Sequence, residues 1–238
     1  MADMHVHSLY SDGTMRIRDI LDHVEHNTTL DVIAITDHER IDGALRAREI
    51  HAVGGYSFEL VVGEEITTRS GHLLALFLEE RVRPLRSLEY ALQAVHEQGG
   101  LAIAPHPMSQ LTLSIGRGSF RRLLRDDRPG VHLDAIELIN PSGAGRSARA
   151  AVQRMNDEVL HLPGIGNSDA HVLSAIGSAF TWFRGTSAGE YRAAIGSGQV
   201  EPEGAHWSTW QNVTIYRRQL AAKARHLRHT LVPTGEWR

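Results

Sequence analysis

Short apolar runs alternate with longer amphipathic segments along most of the chain, a pattern typical of βα units around a parallel sheet or barrel. The runs at 32–35 and 73–78 are almost continuously apolar, as expected for strands that are buried on both faces. We predict strands over 3–7, 31–36, 59–67, 72–78, 101–104, 135–139 and 164–167. We predict helices over 17–24, 43–52, 88–97, 120–124, 147–158 and 188–195. About seven units result, which indicates an α/β barrel.

The alternation stops after Gly198, where a different pattern begins. Apolar residues at helical spacing predict one last amphipathic helix; these are Ile215, Leu220, Ala224, Leu227 and Leu231. We therefore divide the chain into a barrel over 1–198 and a C-terminal helical extension over 199–238 that packs on the barrel. Basic residues from 217 to 228 could touch a polyanion, but a solvated helix face is the favoured interpretation.

Composition narrows the class of protein further. The 238 residues have 42% hydrophobic and 22% charged residues, as in one globular α/β domain. The absence of cysteine excludes thiolate ligands and a cysteine nucleophile, so any metal ion must bind to nitrogen and oxygen. No run has the length of a membrane span, and we expect a cytoplasmic protein without membrane contact. The formal charge of −3 makes stable nucleic-acid binding an unfavoured function.

Polar residues that packing does not require occur where the predicted strands end. His5 and His7 are two residues apart, so on a strand both imidazoles point the same way. Four other strand ends carry Thr36-Asp37-His38, Gly63-Glu64-Glu65, Ala104-Pro105-His106-Pro107 and Ser168-Asp169-Ala170-His171. Barrel enzymes build active sites on this face. Because burying several ionisable groups together is costly unless a cation compensates, these clusters predict a metal centre.

The remaining nine of the fifteen histidines lack this context, and we interpret them as surface or structural residues. Apart from His72, which is discussed with the strand-end groups below, these histidines are His23, His26, His51, His96, His132, His161, His206, His226 and His229.

Together these motifs closely resemble the PHP (polymerase and histidinol phosphatase) family, over about residues 3 to 198. The resemblance rests on His5-x-His7-Ser8-x-x-Ser11-Asp12-Gly13, Thr36-Asp37-His38, Gly63-x-Glu65-Ile66-Thr67, Gly71-His72, His106-Pro107 and Ser168-Asp169-Ala170-His171. It implies a distorted (β/α)7 barrel with two to three divalent ions, commonly manganese, zinc or iron. It also implies hydrolysis of phosphate esters.

The resemblance implies the metal ligands residue by residue. One ion would bind to His5, His7, Glu65 and Asp169, and Glu65 would bridge to a second ion held by His72 and His106. The third ion would bind to Asp12, His38 and His171. Mixed imidazole and carboxylate ligands suit Mn²⁺, Zn²⁺ or Fe²⁺ and disfavour Ca²⁺.

Other residues receive roles beside the metal ligands. Glu65 and Asp169 are predicted catalytic carboxylates, and Asp37 is expected to orient His38 or to carry a proton. Strand alternation turns Glu64 to the opposite face, where a salt bridge is expected. Arg40, Arg117, Asn140 and Arg146 are candidate substrate contacts, with Ser114 and Arg117 on a cap loop over 108–119.

We expect a phosphoesterase that cleaves a small phosphorylated metabolite or nucleotide with a metal-bridging hydroxide. Two other functions remain open: a carbamate or amide hydrolase, and a non-catalytic metal-binding accessory module. The amidohydrolase barrels, which also open with His-x-His, fit less well because they lack the Thr-Asp-His motif.

Overall fold

A computed structural model describes residues 1–205, and within them nine strands form one twisted, nearly closed sheet with helices around it. The strands are β1 Ala2–Asp3, β2 Val32–Ile35, β3 Glu59–Thr68, β4 Gly71–Leu76, β5 Leu101–Ala104, β6 Ala135–Ile139, β7 Gly164–Gly166, β8 Ala179–Phe183 and β9 Val200–Gly204. The helices are α1 Ile17–Asn27, α2 Asp42–Gly54, α3 Leu88–Glu97, α4 Arg117–Leu123, α5 Gly143–Met155 and α6 Ala188–Ser197. The predicted α/β barrel is confirmed. No helix among these residues is long and apolar enough to cross a membrane.

The sequence analysis missed two strands, β8 and β9. The structure has nine strands within the described residues, and we had predicted seven. β8 pairs antiparallel with both β1 and β9, and the sheet order ends β1-β8-β9. β9 is mostly exposed and contains Pro202 and two glutamates, which hides its strand character. The sheet therefore continues to Gly204, past the boundary that we placed at residue 198. The helix predicted from Ile215 lies outside the described residues.

The sheet is not wholly parallel, which corrects the simple βα pattern. β4 runs antiparallel to both β3 and β5 because β3 and β4 form a hairpin. Its turn ends at Gly71, whose φ of 118° favours glycine. In this register His72 lies opposite Thr67, at the same end of the barrel as Glu65. The reversal thus brings the first residues of β4 to the carboxyl ends of the parallel strands.

Both faces of β2 and β4 are buried, as their apolar runs predicted. Alternate residues such as Ile33 and Ile35 belong to a core that includes side chains of α1, α2, α3 and α5. Val32 and Ala34 belong to a second core on the other face, which also contains Tyr191 and other residues of α6. The barrel body is therefore largely apolar, and the predicted metal ligands lie together at one end of the barrel.

One close backbone approach brings β7 against β8 and β9. The hydroxyl of buried Thr181 donates to the carbonyl of Gly166 at 2.9 Å and accepts from its N–H at 3.2 Å. A Cβ on Gly166 would lie 2.6 Å from the carbonyl oxygen of Phe180. Glycine is therefore required at this position, and the Thr181 hydroxyl satisfies the backbone groups that the close approach buries.

We expect Thr181→Val to lower the free energy of unfolding by about 1–3 kcal/mol, because the buried N–H and carbonyl of Gly166 both lose their hydrogen-bond partner. Thr181→Ser keeps the hydroxyl and is the matched control, with a smaller loss. Equilibrium denaturation of the two variants measures the difference. Equal stability of Thr181→Val and the unmodified protein would contradict this role.

Candidate metal centre

Backbone pairing brings the first and last predicted motifs side by side. The N–H of His7 donates to the carbonyl of Ala170 at 2.8 Å, and the N–H of Ala170 donates to the carbonyl of His5 at 3.1 Å. A bridge between His38 and Glu65 aligns the second and third motifs in the same way. Short β-type contacts beyond the named strands therefore set the positions of these side chains.

Glu65 lies at the centre of the cluster and is buried. Its Oε2 is 3.1 Å from Nε2 of His5 and 3.2 Å from Nε2 of His7. Its Oε1 is 2.9 Å from Nδ1 of His72 and 2.9 Å from Nε2 of His106. The two carboxylate oxygens thus face two separate histidine pairs, which is the arrangement of a bridging ligand.

Asp169 completes the first group. Its Oδ1 lies 3.6 Å from Nε2 of His5 and 3.4 Å from Nε2 of His7. His5, His7, Glu65 and Asp169 therefore converge from three different segments of the chain.

A third group forms around Asp12. Its Oδ1 is 3.0 Å from Nε2 of His171, 3.7 Å from Nε2 of His38 and 3.9 Å from Nδ1 of His7. The two ring nitrogens of His7 consequently face different groups, and His7 stands between the first and the third.

These side chains fit divalent metal ions. All nine predicted ligands belong to sets whose ligand atoms lie within 4.8 Å of one another. Within residues 1–205, neither ring nitrogen of buried His7 makes a hydrogen bond of normal geometry, and the same holds for Nδ1 of His72, although carboxylate oxygens lie close to them. Buried polar atoms without partners are costly, and a cation would satisfy them. Nitrogen and oxygen ligands of this kind suit Mn²⁺, Zn²⁺ and Fe²⁺.

The electrostatics of the cluster keep its carboxylates ionised. Burial opposes the charge on Glu65, but the imidazoles of His38, His72 and His5 outweigh burial and hold the pKa of Glu65 well below its usual range. The pKa of Asp169 is likewise lowered against burial, mainly by His5 and His7. Burial lowers the pKa of His38 to about 3. The pKa of His5 and of His106 is instead raised, because the nearby carboxylates, Asp169 and Glu65 for His5 and mainly Glu65 for His106, outweigh burial. Metal ions bind ionised carboxylates and neutral imidazoles, so binding of an ion would release protons from these histidines.

Hydrogen bonds at Nδ1 orient three of the imidazoles. Nδ1 of His5 is 2.9 Å from Glu137, Nδ1 of His106 is 3.2 Å from the Ser114 hydroxyl, and Nδ1 of His171 is 2.9 Å from the carbonyl of Asp169. If each Nδ1 carries the proton, Nε2 is left as an acceptor that faces the carboxylates. Partners of this type fix both the tautomer and the ring orientation of metal ligands.

Glu137 was not singled out from the sequence, although it is a buried carboxylate within the apolar strand β6. Besides contacting His5, it accepts from Nδ2 of Asn167 at 2.9 Å and from the N–H of His106 at 2.7 Å. Nδ2 of Asn140 donates to it at 3.2 Å. The sequence feature that could have identified Glu137 is its position as the single charged residue in the otherwise apolar run Ala-Ile-Glu-Leu-Ile.

Asp37 has different partners from those expected. Its carboxylate accepts from the N–H and hydroxyl of Ser8 at 2.8 and 2.6 Å, and from the hydroxyl of Ser11 at 2.5 Å. No hydrogen bond among the described residues joins it to the His38 ring. The carboxylate instead holds the loop that leads to Asp12. Glu64 accepts from the N–H of Val82 at 3.0 Å and lies 3.7 Å from Arg81, on the side away from the metal ligands.

The candidate substrate residues separate into two groups. Arg40 lines an open cleft of about 550 Å³ together with Asp12, His38, His72 and Tyr10. Asn140 lies beside the centre, with Nδ2 3.3 Å from Oδ2 of Asp169.

Arg117 and Arg146 are exposed and do not line this cleft. Arg117 is the first residue of α4, so the predicted cap loop ends before it. Leu111 and Leu113 of that loop do line the cleft, and their side chains are largely exposed.

Comparison with known proteins places this centre in a family. The model of the PHP domain matches residues 3–161, and that of the PHP-associated region matches residues 156–200. The uncharacterised protein MJ1587 of Methanocaldococcus jannaschii is 34% identical over 150 residues, which cover 58% of this chain and 81% of that protein.

Two solved structures share the fold. A two-domain protein from Bacteroides vulgatus, described as containing a predicted PHP-like metal-dependent phosphoesterase, has a TM-score of 0.64 at 20% identity. The match covers 93% of this chain and 69% of that one. Endonuclease Q, in complex with a 27-mer duplex carrying an abasic lesion, has a TM-score of 0.53 at 16% identity and matches over 93% of this chain and 71% of its own.

The family model spans well over half of the chain, and the strand-end motifs lie within the combined matched regions. The chain therefore belongs to the PHP domain family.

Proposed function

We propose that the protein is a metal-dependent phosphoesterase that hydrolyses a small phosphorylated metabolite or nucleotide, with two or three Mn²⁺, Zn²⁺ or Fe²⁺ ions. The observation that carries the proposal is Glu65, whose two oxygens each face a separate pair of histidines. Such a carboxylate suits a pair of ions, and paired ions suit displacement at phosphorus.

Each group of side chains has a definite part in this proposal. His5, His7, Glu65 and Asp169 would hold one ion, Glu65 with His72 and His106 a second, and Asp12, His38 and His171 a third. When bound, these ions activate water and stabilise the negative charge of the transition state. Glu65 and Asp169 remain ionised to hold them, and Asn140 fixes the orientation of Asp169 through its amide.

The cleft supports a small anionic substrate. Arg40 lines it beside the metal ligands, and its guanidinium is 5.6 Å from the ring centre of Tyr10. Both Nε and a terminal nitrogen of Arg40 donate to Asp42, which limits the positions that the guanidinium adopts. Because Arg117 and Arg146 do not line the cleft, we place the positive contact to a terminal phosphate on Arg40 instead.

A nucleic-acid substrate is the second candidate, because the fold of Endonuclease Q is similar to this one. The net charge of −3 favours a small substrate, since binding to a nucleic-acid backbone relies on clustered Lys and Arg. Carbamate or amide hydrolysis is chemically compatible with the same ions, so it belongs in the same assay. All nine ligand side chains converge, which disfavours a non-catalytic module.

The deciding assay uses protein loaded with Mn²⁺ or Zn²⁺ and a panel of sugar phosphates, nucleotides, cyclic phosphodiesters, abasic-site DNA and carbamates. We expect release of phosphate from a small phosphoester, loss of this activity on chelation and recovery when the ion is returned. Glu65→Gln should lose at least one bound ion and most of kcat, because the bridging negative charge is removed. Glu64→Gln is the matched control, since the neighbouring carboxylate faces Arg81. Turnover of carbamates alone, or full activity without metal, would contradict the proposal.

Glu137→Gln tests whether the carboxylate behind His5 positions it. One side-chain oxygen becomes an amide nitrogen that faces donors, so we expect metal affinity to fall by about 10–100-fold. Metal titration of the apo protein measures this loss, and circular dichroism establishes that the variant is folded. Unchanged affinity in a folded variant would leave Glu137 with a purely structural role.

Arg40→Ala should raise KM for a phosphomonoester by about ten- to a hundredfold, because one charge-assisted hydrogen bond is lost. The effect on kcat should be smaller. Arg46→Ala is the control, since Arg46 pairs with Glu49 on the exposed side of α2. If KM responds equally to both substitutions, the phosphate does not contact Arg40.

A further inference from the structure

A second histidine cluster lies at the other end of the barrel, formed by His96, His132 and Asp134. His96 is in the last turn of α3, and Asp134 immediately precedes β6. The carboxylate of Asp134 accepts from the N–H of Ala102 in β5 at 2.7 Å. His106 follows the opposite end of β5, four residues further along, which corresponds to about 13 Å in an extended strand. This cluster is therefore separate from the nine side chains at the carboxyl ends of the strands.

His96 is oriented as metal-binding histidines are. Its Nδ1 is 2.8 Å from the carbonyl oxygen of Gly130, which can only accept, so Nδ1 carries a proton. Its Nε2 is 3.0 Å from Oδ2 of Asp134, the oxygen that Ala102 also holds. A backbone carbonyl on one ring nitrogen and a fixed carboxylate beside the other are typical surroundings of a metal ligand.

His132 supplies the third ligand. Its ring stacks on that of His96, with the centroids 4.3 Å apart and an angle of 12° between the planes. Its Nε2 is 3.6 Å from Oδ1 of Asp134, and the ligand atoms of the three residues lie within 4.8 Å of one another. Two ligands at about 2.1 Å from one ion and 3.0 to 3.6 Å apart subtend about 90 to 120°, which suits tetrahedral or octahedral coordination. The side chain is 62% exposed, so its ring can turn toward the ion.

We propose that His96, His132 and Asp134 form an additional, non-catalytic site for Zn²⁺ or a similar divalent transition ion such as Ni²⁺ or Cu²⁺. Two imidazoles and one carboxylate favour these ions over Mg²⁺ and Ca²⁺. Water completes the coordination on the exposed side. The bound ion ties the end of α3 to the segment that enters β6, and through Asp134 to β5. This site does not depend on the proposed hydrolytic function.

A simple ion pair between protonated His96 and Asp134 is the alternative explanation. It accounts for the hydrogen bond that raises the pKa of His96, but it gives His132 no part. The two explanations differ in whether removal of His132 changes metal binding.

The experiment uses the full chain after the ions of the Glu65 centre are loaded. The protein is dialysed to equilibrium against buffered micromolar Zn²⁺ at pH 7.5, and elemental analysis then gives the number of zinc ions per chain. We expect His132→Ala to bind one equivalent fewer than the unmodified protein, with hydrolytic activity unchanged. His26→Ala is the control, since it removes an exposed histidine from the end of α1. Equal zinc content in the unmodified protein and His132→Ala would overturn the proposal.

Thermal unfolding provides an independent measurement. Added Zn²⁺ should raise the Tm of the catalytically loaded unmodified protein and of His26→Ala, because an ion that binds only the folded state stabilises it. The rise should be absent in His132→Ala and in His96→Gln. A rise of the same size in all four proteins would show that zinc acts elsewhere and would overturn the proposal.

Discussion

The electrostatic balance around Glu65 is the constraint on which the rest of the centre depends. A buried carboxylate is costly unless positive charge or hydrogen-bond donors surround it. Four imidazoles lie within about 3 Å of its two oxygens, and a fifth, that of His38, is 3.4 Å away. These five histidines come from four different segments of the chain, so the barrel must hold all of them in register. Bound metal ions beside the carboxylate would remove the requirement that several imidazoles be protonated together.

The backbone accepts local strain to satisfy this requirement. His106 and Asp169 have positive φ values of 29° and 52°, a region that residues other than glycine rarely adopt. Each such residue costs about 1–3 kcal/mol and persists only where the surroundings determine it. Here the surroundings are Glu137, which holds the N–H of His106, and the paired segments 5–7 and 169–171. The apolar cores on both faces of the sheet supply the stability that offsets these costs.

Local sequence patterns predicted the barrel and the convergence of polar groups at the strand ends, whereas the full set of nine ligands, His72 included, came from the resemblance to the PHP family. Apolar runs mark buried strands, and parallel strands place their carboxyl ends together. The direction of β4 was not predictable in this way, since its apolar run is equally consistent with either direction. β8 and β9 were missed because their pairing with β1 and with each other, and not their composition, makes them strands. Glu137 and Asp37 show the same limit, because their roles depend on partners distant in the sequence.

The same limit explains why His96 and His132 were interpreted from the sequence as surface or structural residues. Their separation along the chain, on a helix and on a loop, gives no motif, and only the fold stacks the two rings beside Asp134. The two clusters differ in burial in a way that matches different uses. The ligands around Glu65 are mostly buried and concentrate charge at the edge of the cleft, which suits the catalysis that we propose. At the opposite end, His132 is exposed while His96 and Asp134 are mostly buried, and the three residues join elements that are adjacent only in the folded barrel. An ion there would therefore act on stability and not on chemistry.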